Sequence, residues 1–400
     1  MATDAAPLPV RDDRYDRAFE LLLLCSRTRI AARDDTRLRT LDPGDVDWAR
    51  LVGLAAIHGT RPLVYRTLST TCSHLVPSAV LQALRDQVIE IAGQNLFLMG
   101  ELMDVLLALE SERIHALPFK GPVLAVDAYG SVALREFRDL DIVVEKREIE
   151  RVGEILHAGG YAELGTSPGG DEYSRVFTRN AAVVDLHWAF AGNRFFFRND
   201  PKALWQRRVA IDVSGQRMSS LAPEDNLLLL CMHGAKHCWS RLAWVCDVAE
   251  LITSHSNLDW VALVSRAKTF GAERMLYLGL YLAADLLGAQ LPAEVHAHAS
   301  QPSVAVLSGT VRSWMMQEID GAAKPLERET FYVSMRERIS DRARHLLAGI
   351  VRFALPTARD RRALPLPSPL RFVHLLTRPV RLLATYGNPA IVLKRLTGRL

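Results

Sequence analysis

The chain has 400 residues, of which 49% are hydrophobic and 24% charged, with a formal net charge of +4. That is the composition of a soluble globular protein long enough for two or three domains. Five cysteines, odd in number and without a CxxC pair, fit reduced thiols better than a disulfide framework, so a cytoplasmic setting is expected.

The N-terminal "MATDAAPLPVRDDRYDR" lacks the basic-then-apolar order of a signal sequence. From about 12 to 112, apolar residues recur at three- and four-residue spacing and predict helices, including one long helix over about 78–112. The texture changes at "RIHALPFKGPVLAVDAY". His115 to Phe119 read as a short strand, Gly121 as a turn, and Pro122 as the first position of a helix reaching about Tyr129. "DLDIVV" is a strand by its alternation, and "REIERVGEILHAGGY" is a helix ended by glycines. "EYSRVFTR" and "AAVVDLHWAF" form a hairpin turning near Asn180. Helices resume at "APEDNLLLLCMHGAKHC". The apolar stretch at 275–291 is short for a membrane span and is interrupted by Asp285, so it reads as a core helix and no membrane span is expected. Residues 351–400 carry ten arginines or lysines against one acid, Asp360. Such a tail is a solvated end or a contact for an anionic surface. Four regions follow: N-terminal helices (1–112), an α/β core (113–215), C-terminal helices (216–355) and a basic tail (356–400).

The chemistry concentrates in the core. In a strand, Leu140, Ile142 and Val144 face one side while Asp139 and Asp141 share the other. Two such carboxylates suit a pair of divalent cations, and Mg²⁺ favours hard oxygen ligands shared with phosphates. Asp185, inside an otherwise apolar strand, is costly to bury unless paired or bound to metal. Lys120 and Gly121, entering a helix, form a candidate phosphate cradle. Arg135 and Arg138 stand beside the acids as further phosphate ligands. His187, His237 and Arg241 are candidate cleft-lining residues, with Trp239 beside them. Asp247 is expected to pair with Arg241 or Lys236. Zinc at His233 and His237 lacks a second ligand pair.

"FKGPVLAVDAYG…LREFRDLDIVV…VVDLHWAF" resembles the DNA polymerase β-type nucleotidyltransferase superfamily, and within it a bacterial group of uncharacterised nucleotidyltransferases. The helical "HGAKHCWSRLAWVCDVAEL" and the arginine-rich end containing "LLTRPVRLLATYG" also fit that group. The resemblance covers about 15–390. It implies an α+β fold, with a small mixed-sheet polymerase β-like core flanked by N- and C-terminal helical regions. It also implies Mg²⁺ (or Mn²⁺) as cofactor, an NTP as donor and a hydroxyl-bearing small molecule, peptide or protein as acceptor. Asp139 and Asp141 would bind both metals, and Asp185 would activate the acceptor hydroxyl or bind the catalytic metal, with pyrophosphate leaving. One departure stands out. Pro122 follows Gly121 where the superfamily usually has Ser or Gly, which removes an N–H and supplies no hydroxyl. It favours the alternative of a catalytically inactive, partner-binding scaffold. The basic tail leaves an RNA end as a less favoured acceptor.

Overall fold

The three- and four-residue apolar spacing gives five helices before any strand: α1 (Asp13–Cys25), α2 (Ala32–Arg39), α3 (Trp48–His58), α4 (Arg61–Thr71) and α5 (Ser78–Ser111). The computed structural model describes residues 13–166, 173–189, 201–213, 215–316, 325–354 and 373. The tail at 356–400 lies outside these apart from Val373. α3 starts where the Asp47 carboxylate accepts from the Arg50 N–H and stops at Gly59 in the left-handed region. α5 runs unbroken for 34 residues, about 50 Å at the helical rise.

A mixed sheet follows. β1 (Ala116–Phe119) leads into α6 (Gly121–Tyr129), then β2 (Leu140–Val144), α7 (Ile149–Ala158), β3 (Ala162–Thr166), β4 (Ser174–Arg179) and β5 (Ala182–His187). The strand order is β1-β2-β5-β4-β3. Only β2 and β5 run parallel, because the chain crosses over through α7 and returns by way of the β4–β5 hairpin. That hairpin turns at Asn180, which takes a φ of +54°. Leu140, Ile142, Val144, Val184 and Leu186 are each at most 1% exposed. Burying each is worth about 1.5–3 kcal/mol, which pins the register of the two central strands. All five residues of β2 are buried. The strand thus lacks the open acidic face expected from alternation, and Asp139 sits one residue before it begins.

α8 (Pro201–Arg207) and a two-stranded ribbon, β6 (Val209–Val213) with β7 (Gln216–Ser220), complete the middle of the chain. The ribbon and β3 are additions to the sequence reading. β6 is half-exposed and β3 carries a bulge between Glu163 and Gly165, so neither shows a clean apolar period. The ribbon's turn lies at residue 215, where the α/β core was expected to end.

Eight helices close the described chain: α9 (Pro223–Lys236), α10 (Leu242–Ser254), α11 (Trp260–Phe270), α12 (Glu273–Leu287), α13 (Ala293–Ala299), α14 (Pro302–Met315), α15 (Pro325–Ser334) and α16 (Ile339–Ala354). α12 is the buried helix expected at 275–291. Trp239 is fully buried rather than cleft-lining. Its ring fills a slot that only glycines leave open, since a Cβ at Gly234 would lie 2.5 Å from it and one at Gly279 3.0 Å away. One apolar core joins α1, α3 and α4 to α9–α12, and a second lies between the sheet, α5 and α7.

Candidate active site

The parallel pairing of β2 with β5 sets Asp141 directly beside Asp185, and Val143 beside His187. Alternation then turns Asp185 and His187 to the same side of β5. Donor atoms of Asp141, Asp185 and His187 all fall within 4.8 Å of one another, the one such group among the described residues. His187 Nε2 lies 2.9 Å from Asp141 Oδ1 and 3.3 Å from Asp185 Oδ2. Its Nδ1 is buried without a hydrogen-bond partner.

Lys120 closes the other side. It ends β1 with φ +56° and ψ −145°, and Gly121 follows at φ +45°. Non-glycine residues rarely hold such backbone angles, and the strain is worth about 1–3 kcal/mol. The result is that Lys120 Nζ donates to Asp141 Oδ2 at 2.9 Å. A Cβ at Gly121 would meet the Asp139 carbonyl at 3.4 Å, so the turn is packed against the acidic strand. Burial alone would raise the Asp141 carboxyl, but the Lys120 ammonium and the His187 hydrogen bond hold it well below the usual carboxylate range.

Asp139 is exposed, yet the protein around its carboxyl and the nearby Asp141 charge push it up from the ordinary value; Lys120 and Arg135 offset part of this. The two acids of the D-x-D pair are thus driven apart in acidity by their surroundings. Arg138 is exposed beside them. Arg135 is not open to a phosphate in the expected way. Its Nε and Nη2 donate to Asp247 at 2.7 and 2.9 Å, and the Tyr129 hydroxyl donates to the same carboxylate at 2.7 Å. Burial opposes the guanidinium charge, and Asp247 outweighs it and holds its pKa above the ordinary value. The expected pairing of Asp247 with Arg241 or Lys236 is therefore replaced by Arg135.

Lys236, at the end of α9, donates instead to the Tyr173 hydroxyl at 2.7 Å, and the Tyr173 ring stacks on His187 at 6.2 Å. Tyr173 is the site residue that the sequence did not single out: the expected hairpin sets it near the end of β5, but nothing in the sequence ties it to Lys236. Next to Lys236, the rings of His233, His237 and Trp244 pack together at 4.6–5.5 Å. Burial and neighbouring cations, Lys236 and Lys120 among them, bring His237 down to about 3, and His233 is pulled down for the same reasons. Both are neutral at physiological pH. Arg241 is partly exposed at the start of α10.

The donor set of two strand-borne carboxylates and one imidazole, whose Nε2 faces both, fits a divalent cation. A mixed sheet that carries paired acids beside a lysine–glycine turn defines a nucleotidyltransferase-like core. The profile of a family described as uncharacterised nucleotidyltransferase matches residues 44–288, and the chain belongs to that family. It is an α+β protein with a mixed-sheet core, and the family supports transfer of a nucleotidyl group in general. Among solved structures, the antibiotic-resistance factor ANT(2'')-Ia in solution matches at 12% identity, covering 53% of this chain and 89% of its own, with a TM-score of 0.26. The crystal structure of ANT(2")-Ia with adenylyl-2"-tobramycin matches at 14% identity, 54% and 96% coverage and a TM-score of 0.28. An antigenic nucleotidyltransferase-like protein from Paracoccidioides brasiliensis matches at 16% identity, 48% and 92% coverage and a TM-score of 0.28. No curated protein matches.

Proposed function

We propose that the protein transfers NMP from an NTP to a hydroxyl-bearing small molecule, peptide or protein in a Mg²⁺-dependent (or Mn²⁺-dependent) reaction. The observation that carries this reading is the side-by-side register of Asp141 and Asp185, with His187 between their carboxylates and Lys120 on the far oxygen. Asp141 and Asp185 would hold the metal, with Asp139 at the rim for a second ion. When bound, the cations neutralise triphosphate charge and acidify the acceptor hydroxyl. Lys120, released from Asp141, turns to the phosphates together with Arg138. Asp185 accepts the acceptor's proton. The acceptor oxygen bonds to the α-phosphorus, the bond from the α-phosphorus to the bridging oxygen breaks, and pyrophosphate departs. His187 fixes the two carboxylates through Nε2, braced by Tyr173 and Lys236. The buried thiols are consistent with a cytoplasmic setting.

The test is incubation with Mg²⁺ and each α-labelled NTP over a panel of hydroxyl acceptors. Asp141→Asn and Asp185→Asn should each lower label transfer by at least about 100-fold, the equivalent of losing several kcal/mol of charge stabilisation. Label transfer that survives in both variants contradicts the reading. An inactive, partner-binding scaffold is favoured by one pair of observations: Lys120 and His187 already satisfy Asp141, and Pro122 gives no N–H at the turn. That reading expects no binding of Mg²⁺–NTP at all.

A further inference from the structure

His233 and His237 stand one turn apart at the end of α9, and Trp244, in the first turn of α10, comes back over both. The three rings meet tilted or edge to face, with centroids 4.6–5.5 Å apart. The chain reverses between them under strain. Cys238 and Trp239 take φ of +56° and +51°, a region that residues other than glycine rarely adopt. The Trp239 ring, lodged against Gly234 and Gly279, holds that reversal in place.

All three rings remain part-exposed, although Trp244 also rests on the larger core. Among the described residues, nothing hydrogen-bonds to their ring nitrogens. The wall therefore offers solvent a flat aromatic surface with free donor and acceptor edges. It stands beside the metal ligands. Burial lowers both imidazoles, and the Lys120 and Lys236 ammonium groups add to it for each. Lys236 adjoins His237, and its Nζ bonds the Tyr173 hydroxyl, with the Tyr173 ring 6.2 Å from that of His187.

A neutral aromatic wall is thus rimmed by two ammonium groups. The matching ligand is a flat, neutral heterocycle joined to an anionic chain, and a nucleoside triphosphate has both parts. Lys120 is the group that turns to the phosphates in the proposed reaction, so the wall stands on the side of the donor rather than the acceptor. We propose that Trp244 and His237 seat the nucleobase of the bound NTP, and that the imidazole edges of His233 and His237 set which base binds best. This rests on the nucleotidyl-transfer reading and adds to it the residues that read the donor's base.

The test compares Mg²⁺-dependent binding of four non-hydrolysable NTP analogues with that of inorganic tripolyphosphate, which has the charge but no base. The best analogue should bind at least about tenfold more tightly than tripolyphosphate, as one stacked base warrants. Trp244→Ala should weaken that analogue by about tenfold and leave tripolyphosphate unchanged. Trp244→Phe, which keeps a ring and guards against a folding defect in the alanine variant, should restore most of the affinity. In the wild type the analogue should quench tryptophan emission and tripolyphosphate should not, and Trp244→Phe should lose the quench while still binding. His237→Phe should keep the stacking but narrow the spread of affinities among the four bases. Tripolyphosphate binding as tightly as every analogue, or Trp244→Ala weakening both ligands alike, overturns the proposal and leaves the metal site standing. Trp244→Ala raising the KM of the acceptor with NTP affinity unchanged assigns the wall to the acceptor and also overturns it. Absence of Mg²⁺-dependent binding by analogues and tripolyphosphate alike removes the nucleotidyl-transfer reading, and this inference with it.

Discussion

Lys120 is strained in its backbone, largely buried as a side chain and bonded to the Asp141 carboxylate, which is held below the usual range. That combination makes it a competitor of any cation at Asp141. Lys120→Met should therefore do two opposite things. It leaves a buried carboxylate short of one partner, which costs about 3 kcal/mol of stability in urea unfolding. It also frees Asp141, so calorimetry should show tighter Mg²⁺ binding than in wild type. Lost stability with unchanged or weaker Mg²⁺ binding would remove Asp141 from the metal site. The Asp141 carboxyl is depressed in the folded state, so its contribution to stability is present above the unfolded value near 3.9 and is lost as pH falls through the folded one. Asp139, shifted the opposite way, should take up its proton before Asp141 as pH falls.

At the scale of elements, the sequence exposed periods but not partners. The helices α3, α5, α6, α7, α9 and α12 and the strands β1, β2, β4 and β5 were all legible from apolar spacing and from cap and turn residues. What was not legible is which strand lies beside which. Asp185 reads as an acid in an apolar strand, yet only the crossover that sets β5 parallel to β2 brings it to Asp141. For the same reason, His187 rather than Asp139 completes the close triad. Arg135 shows the converse error. It reads as a phosphate ligand because it stands near the acids, but its partner Asp247 is 112 residues away on α10 and no local pattern announces that. The pair ties the loop after α6 to α10. Arg135→Met should then cost about 3–5 kcal/mol by chemical denaturation, with Mg²⁺–NTP affinity of the folded protein nearly unchanged. A large loss of NTP affinity at full stability would return Arg135 to the phosphates.

For the molecule as a whole, one hinge of stability is His58, where α3 meets the C-terminal helices. Its Nδ1 accepts from the Leu242 N–H and its Nε2 donates to the Met315 carbonyl, which fixes the neutral ring. Burial brings it down to about 4, with the Met315 bond offsetting part of the effect. A base lowered in the folded state leaves the unfolded chain binding more protons below pH 6.5, so stability falls as pH drops from about 6.5 to 4. His233 and His237 act in the same direction. Urea unfolding at pH 7 and pH 5 should show a marked loss at the lower pH, and His58→Gln should flatten part of it. Equal stability at both values would contradict the assigned burial. The helical regions on either side of the sheet share one apolar core, so such a loss should be felt by both.

In the proposed function, Asp141 and Asp185 form a metal-dependent nucleotide site. Its most direct measurement is the affinity for a non-hydrolysable NTP analogue with and without Mg²⁺, in wild type, Asp141→Asn and Asp185→Asn. Binding should require Mg²⁺ in the wild type and fall at least about tenfold in each variant. Binding that ignores Mg²⁺, or that is equal in all three proteins, would contradict it.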